Sequence, residues 1–335
     1  MKCNTLGKTA LICLLLVLFI LPQPMSAQGR RGGGLYGDWQ IKFMFGENEM
    51  ESILSFSRNQ EGQYTGQWIS FMGMNDMKDV TFADTKLKFT QVFRFGDQDY
   101  TSTFAGTIKA GKLSGLLTSD QGEIDIKGQR APRSPRGVGS WDMTITAGER
   151  EYTGTLTISA DKDGNLNGLW KSSRGENKLS DVKYENRELS FSRMITTQDS
   201  EWKTTFTGTM GRDGLEGVFK SDRGEAPAKG KRIGAAAIGT WNLAISAEQG
   251  ERKQRLRVNS DLSALYGSSI IKKINLDGDK VSFKYVLTFN NQDYETSFEG
   301  KIADSKLTGE VKTDRGTSKV KGAKRPSRRR GSSSR

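Results

Sequence analysis

The heptapeptide GSWDMTI (Gly139–Ile145) decides how this chain reads, because related forms of it occur twice more. GDWQIKF (Gly37–Phe43) lies 102 residues earlier, and GTWNLAI (Gly239–Ile245) lies 100 residues later. Each opens with glycine, any residue and tryptophan, and then alternates. Trp39, Ile41, Phe43 and Phe45 share one face, while Asp38, Gln40 and Lys42 share the other. Trp141, Met143 and Ile145 repeat the pattern, as do Trp241, Leu243 and Ile245. A period of two is the signature of a half-buried β-strand.

The restart extends well beyond the heptapeptide. Copies one and two align without a gap at an offset of 102: Trp68 with Trp170, Leu87-x-Phe89 with Leu189-x-Phe191, Phe104-x-Gly106 with Phe206-x-Gly208. Leu113-x-Gly115 matches Leu215-x-Gly217, and KGQR ending at Arg130 matches KGKR ending at Arg232. Copy three keeps the order but is shorter. Tyr266 follows Trp170 by 96 residues and Phe298 follows Phe206 by 92, so four residues are lost before Tyr266 and four more before Val281. Deletions of this kind are expected in hairpin loops.

In copy one the alternation predicts strands over 38–46, 51–58, 62–71, 78–83, 86–95, 99–109, 112–119 and 122–130. The turn signals SDQG, SDRG and TDRG, ending at Gly122, Gly224 and Gly316, suit tight hairpins with glycine at positive φ. Eight antiparallel strands with one apolar face remove both open edges by closing. The expected fold is therefore all-β: three tandem antiparallel up-and-down eight-stranded barrels, with no substantial helix after the leader. An open or sandwiched pair of sheets is the rival. The division expected is 1–27 leader, 28–36 Gly/Arg-rich lead-in, 37–131 barrel repeat 1, 132–138 linker, 139–233 repeat 2, 234–238 linker, 239–325 repeat 3 and 326–335 basic tail.

Composition narrows the function. Lys2 and Lys8 precede an apolar run from Leu11 to Leu21, followed by Pro22, Pro24 and Ser26-Ala27. This reads as a secretory signal peptide cleaved after Ala27, since the apolar run is too short to span a membrane. An exported protein, periplasmic or extracellular, is the expectation. Both cysteines, Cys3 and Cys13, lie in the leader, so the mature chain has no disulfide and relies on buried apolar area. Histidine is absent, which removes imidazole bases, Ser-His-Asp triads and His or Cys metal ligands. Recurrent Asp99, Asp199, Asp293 and Asp120, Asp222, Asp314 fall at turns, where aspartate bonds local backbone. No enzyme, cofactor or metal is expected. The net charge is +12, but the surplus sits in the lead-in (Arg30, Arg31), the linker (Arg133, Arg136) and the tail KRPSRRRGSSSR (324–335), leaving the rest near neutral.

With Gly-x-Trp opening the first strand and a basic residue ending the last, the units resemble the calycins: lipocalins, fatty-acid-binding proteins, avidins and bacterial relatives. The resemblance implies that Arg130 lies across Trp39, and Arg232 across Trp141, closing one end of each barrel. Copy three departs, with Lys324 at the matching place beside Trp241. Biotin binding is not implied.

The opposite end would then carry ligand. In copy one it gathers Met44, Phe45, Met50, Met72, Met74 and Met77, with Phe93 and Phe95 near the same end. Adaptable thioethers around a mouth suit apolar groups of loosely defined shape. A lid packing on its own barrel or on barrel two is the plainer reading, and a Cu(I) site of MGMNDM lacks histidine and cysteine. Inward aromatics, Trp68 and Tyr100 in copy one and Trp170 and Trp202 in copy two, stack on a ligand or fill the core. Ala226 and Ala228 replace Ile124 and Ile126, so barrel two is where spare room is expected.

The leading expectation is an exported non-catalytic binding protein. It takes an apolar small molecule, or a partner protein's apolar group, at a barrel mouth. Its basic tail meets anionic envelope lipid or polysaccharide, and no nucleic acid is expected. The alternative is a structural or adaptor protein of solid barrels making protein–protein contacts.

Overall fold

The computed structural model describes residues 34–95, 98–196, 200–211, 214–247, 250–289 and 292–326. The leader, most of the lead-in and all but Pro326 of the tail lie outside the described residues. Among those described, every regular element is a strand.

Repeat one comprises β1 (Gly37–Phe45), β2 (Asn48–Arg58), β3 (Tyr64–Ile69), β4 (Met74–Ala83), β5 (Lys86–Phe95), β6 (Gln98–Lys109), β7 (Lys112–Ser119) and β8 (Gly122–Arg130). Repeat two comprises β9 (Gly139–Ala147), β10 (Arg150–Ala160), β11 (Leu166–Ser172), β12 (Gly175–Glu185), β13 (Glu188–Thr196), β14 (Glu201–Met210), β15 (Gly214–Ser221) and β16 (Gly224–Arg232). Each closes as an antiparallel meander, β1 pairing with β8 and β9 with β16. Closure leaves neither barrel an open edge.

Repeat three does not close. Its nine strands are β17 (Gly239–Ala247), β18 (Gly250–Val258), β19 (Ala264–Tyr266), β20 (Ser269–Ile271), β21 (Asn275–Asp277), β22 (Lys280–Phe289), β23 (Gln292–Ala303), β24 (Lys306–Thr313) and β25 (Gly316–Lys324). They form one sheet running from β20 through β17 and β25 to β21. This corrects the expectation of three closed barrels. The eight missing residues come out of the second, third and fourth strands themselves, not out of loops: β18 is two residues shorter than β10, and the rest of the loss falls on the next two strands. Those strands are reduced to three-residue pieces, too short to carry a ladder from β20 to β21. β20 lies beside β22 without pairing to it.

The repeated motifs have a common packing cause. Gly106 pairs with Gly115, Gly208 with Gly217 and Gly300 with Gly309. A Cβ on Gly106 would lie 2.5 Å from the ring tip of Phe104, and one on Gly208 would lie 2.5 Å from that of Phe206. The Phe-x-Gly motif is thus a ring folded over a glycine pair on its own hairpin. That ring stacks on a second phenylalanine in every copy: Phe89–Phe104 at 4.8 Å, Phe191–Phe206 at 4.9 Å and Phe283–Phe298 at 4.9 Å. Offset stacking of this kind adds about 1 kcal/mol to area burial.

Candidate functional site

Three places use the predicted residues: the tryptophan ends, the methionine region of barrel one, and the open end of barrel two.

At the tryptophan ends, Trp39, Trp141 and Trp241 are fully buried. The Arg130 guanidinium lies 4.1 Å from the Trp39 ring, Arg232 4.5 Å from Trp141, and the Lys324 ammonium 5.5 Å from Trp241. Each cation also ties down the segment entering its repeat. Arg130 donates to the Gly34 and Tyr36 carbonyls, Arg232 to Val138, and Lys324 to Ala235 and Ala236. The opening glycine is required twice over. Gly37, Gly139 and Gly239 have φ of 102°, 152° and 139°, and a Cβ there would crowd the side-chain ends of Arg133, Arg232 and Lys324 respectively. The positive φ and the crowding together explain a glycine two residues before each tryptophan. Lys324 and Arg325 therefore belong to the fold, and repeat three (239–325) carries 16 Lys and Arg against 11 Asp and Glu. The folded repeats together remain near neutral, as expected, but the charge is unevenly shared, with a surplus on repeat three.

The methionines of copy one do not form a single mouth. Met77 faces inward, its sulfur occupying the space over Gly66 beside Phe56. Met74 points outward and forms a separate buried cluster with Ile53 and Ile69. Met44, Phe45 and Met72 are exposed, and Met50 and Phe93 are half-buried. Phe95 ends β5, opposite Gln98. Trp68 is buried between Phe43 and Phe89 in the core, and the Tyr100 hydroxyl donates to Gln98 Oε1.

Met74 is buried because repeat three covers it, not barrel two. β4 lies against β18, and a polar seam surrounds the contact. Asp38 of β1 is only 8% exposed. Its Oδ1 accepts from Ser55 Oγ at 2.7 Å and Arg255 Nη1 at 3.1 Å. Its Oδ2 accepts from Arg255 Nη2 at 3.2 Å and Arg257 Nη1 at 2.8 Å. Burial pushes the Asp38 carboxyl up, but Arg255, Ser55 and Arg257 together outweigh burial and hold it below the usual carboxylate range. Burial lowers the Arg255 guanidinium, and Asp38 opposes that fall. Gln254, fully buried, donates to the Ser70 carbonyl at 2.9 Å, and Arg252 donates to the Met72 carbonyl at 3.4 Å. Arg325 reaches Gln67 Oε1 at 3.0 Å. The β3–β4 turn of barrel one thus packs where shortening thinned the sheet of repeat three. A Cβ on Gly267 would lie 2.5 Å from the Ser70 carbonyl.

The room expected in barrel two is taken up. Phe219 stands where barrel one has Leu117, and pairs with Ala226 as Leu117 pairs with Ile124. The larger ring compensates for the smaller partner, as volume-conserving cores require. Trp170 meets Phe219 edge-on at 5.8 Å. Above them Arg193 of β13 points inward, its guanidinium 4.4 Å from the Trp170 ring and 4.8 Å from Phe219. Burial lowers it to about 10. Arg223 lies 3.8 Å over Trp202 and Arg174 5.4 Å from Tyr152 at the same end. None of these arginines was singled out from sequence, although comparing copies position by position marks Arg193, which answers to Gln91 and Tyr285. Two surface depressions, of about 450 and 560 Å³, lie on the outside of repeat two, the first over β9–β11 and the second between the linker and β12.

Asp199 lies outside the described residues, and Asp293 accepts from Thr288 Oγ1 across its hairpin. In the SDQG, SDRG and TDRG turns the hydroxyl before the aspartate makes the turn bond. Ser119, Ser221 and Thr313 accept the N–H two residues on, from Gln121, Arg223 and Arg315.

No family model matches the sequence, and no curated protein matches it. Solved structures similar to it include a Bacteroides fragilis protein provisionally described as an outer membrane protein, 15% identical over 58% of this chain and 97% of that one, TM-score 0.23. A Nostoc punctiforme protein of unknown function is 12% identical over 59% and 96%, TM-score 0.21. Transferrin binding protein B of Haemophilus parasuis is 12% identical over 86% and 75%, TM-score 0.19.

Proposed function

We propose that this chain is an exported, non-catalytic adaptor of the cell envelope, built from calycin-like units that serve as solid blocks. Its partners are proteins, met through outer barrel faces and strand-end loops. The observation that carries this reading is the seam at Asp38. One outer face of barrel one already works as a protein-binding surface, with a buried ion pair and an apolar patch of Ile53, Ile69 and Met74. The lumens support it, since stacked aromatics fill the centre of each repeat. The basic tail adds attraction to anionic envelope surfaces.

The exposure of Met44 (52%) and Phe45 (61%) favours a second reading, an apolar small molecule or partner group held at barrel one's β1–β2 turn. Titration with the neutral apolar dye N-phenyl-1-naphthylamine separates the two. The adaptor reading expects no saturable site for this neutral dye, together with native mass spectra of the gently purified mature protein free of neutral apolar adducts. A saturable site abolished by Phe45→Ser would replace it with the second reading.

A further inference from the structure

Arg193 has no role in the fold that its counterparts share. The matching positions hold neutral Gln91 and Tyr285, and both of those repeats form their cores without a cation there. Arg193 is half-buried, and an arginine is seldom drawn into a barrel without an anion, because desolvating an unpaired guanidinium is unfavourable. Among the described residues no carboxylate pairs with Arg193. Among those residues its guanidinium donates one hydrogen bond, from Nε to Thr204 Oγ1 at 3.4 Å, and burial lowers its pKa. Stacking on Trp170 and Phe219 offsets part of the cost. Stacking leaves the terminal N–H donors unmet.

The surroundings repeat the theme. Arg193 pairs with Thr204 one step below the rim pair, Ile195 and Trp202. On the rim, Arg223 is held flat on Trp202, and Arg174 leans on Tyr152. Barrel one has Gln121, Tyr100, Met72 and Met50 at those positions, so its rim has no such arginines. Barrel two therefore presents one inward guanidinium at the base of its open end and two arginine–aromatic pairs above it.

We propose that the open end of barrel two binds a small organic anion, its carboxylate or phosphate group paired with the Arg193 guanidinium and its ring or apolar body laid against the aromatic rim. A planar fork of donors suits such groups, and bidentate pairing supplies the hydrogen bonds that Thr204 alone does not. Arg174 and Arg223 draw the anion in. Trp170 and Phe219 form an apolar floor that strengthens the ion pair by excluding water.

The test uses the mature full-length protein and the fluorescent anion 1-anilinonaphthalene-8-sulfonate. Wild type is expected to bind it at one saturable site, with inorganic phosphate and benzoate displacing it and benzyl alcohol failing to do so. Arg193→Gln, which installs the barrel-one residue, is expected to weaken binding at least tenfold while the Tm stays level or rises. Arg174→Met, on the exposed rim, is expected to weaken it about threefold. Absence of saturable binding in wild type, or binding unchanged in Arg193→Gln, overturns the proposal. A fall in Tm above about 5 °C in Arg193→Gln would assign the guanidinium to packing and overturn it equally.

Discussion

Barrels one and two run in register along their whole length, yet among the described residues only barrel one is joined to repeat three by a buried ion pair. The difference lies on one outer face. Where barrel one has Asp38, Ile53, Ile69 and Met74, barrel two has Ser140, Thr155, Lys171 and Glu176. Lys171 and Glu176 form an exposed ion pair at 2.9 Å, in the place where Ile69 and Met74 pair beneath repeat three. Four substitutions that leave the strand pattern intact turn a solvated sheet face into a docking face. Charge agrees with this: repeat one holds 13 Asp and Glu against 10 Lys and Arg, and faces the basic repeat three. A barrel's inside specifies that it folds, and its outside specifies what it touches.

Asp38→Ala should break the comparison most strongly. It leaves Arg255 and Arg257 facing each other with no anion, a loss worth about 3–5 kcal/mol for a buried pair. Ser140→Ala in barrel two should change stability by less than about 0.5 kcal/mol. Denaturant unfolding of both variants measures the contrast. The same residue sets an acid limit. Because the folded Asp38 carboxyl lies below its unfolded value, its contribution is complete above about pH 3.9. It is lost as pH falls through the folded value. Stability measured between pH 5 and 2 should show this fall in wild type and a shallower one in Asp38→Asn.

Exchanging the apolar pair is next. Ile69→Lys with Met74→Glu gives barrel one the barrel-two pair, and should cost about 3 kcal/mol, from lost apolar burial and two poorly solvated charges. Lys171→Ile with Glu176→Met should cost under about 0.5 kcal/mol, since the exposed pair contributes little. Equal losses in the two barrels would show that the seam is not what distinguishes them.

Features that the barrels share should respond alike. Gly106→Ala and Gly208→Ala each force a methyl group against the ring of Phe104 or Phe206 and the facing strand. Overpacking of this kind costs about 2 kcal/mol, and thermal melts should show matching losses. A mismatch would mean that the two cores are not built on one plan.

These contrasts also explain what was legible in the chain. The eight strands of copy one could be placed within a few residues, because alternation and turn glycines are local signals. Closure at Trp39 and Arg130 came from a resemblance that the repeat made credible. The seam was hidden because Asp38, read alone, is one more polar residue on a solvent face, and its partners Arg255 and Arg257 lie more than 200 residues away. Outward Ile53, Ile69 and Met74 did carry a signal, since each breaks the polar face that copy two keeps. The opening of repeat three was missed because a deletion count does not say whether loop or strand is lost.

The smallest expected effect concerns the closing cation. Arg130→Lys gives barrel one the residue that repeat three already uses at its matching place. A lysine presents a compact charge on a flexible stem, and the Lys324 ammonium sits 5.5 Å from Trp241, against 4.1 Å for Arg130 over Trp39. It keeps two carbonyl contacts, to Ala235 and Ala236, so the tie to the incoming segment survives. What is lost is the flat stack, worth about 0.5–1 kcal/mol. Arg130→Ala removes both the stack and the tie, and should cost about twice as much. Chemical denaturation of the pair of variants resolves the two contributions. A lysine variant as damaged as the alanine one would show that stacking on the indole, and not the anchoring of residues 34–36, is what the closing cation supplies.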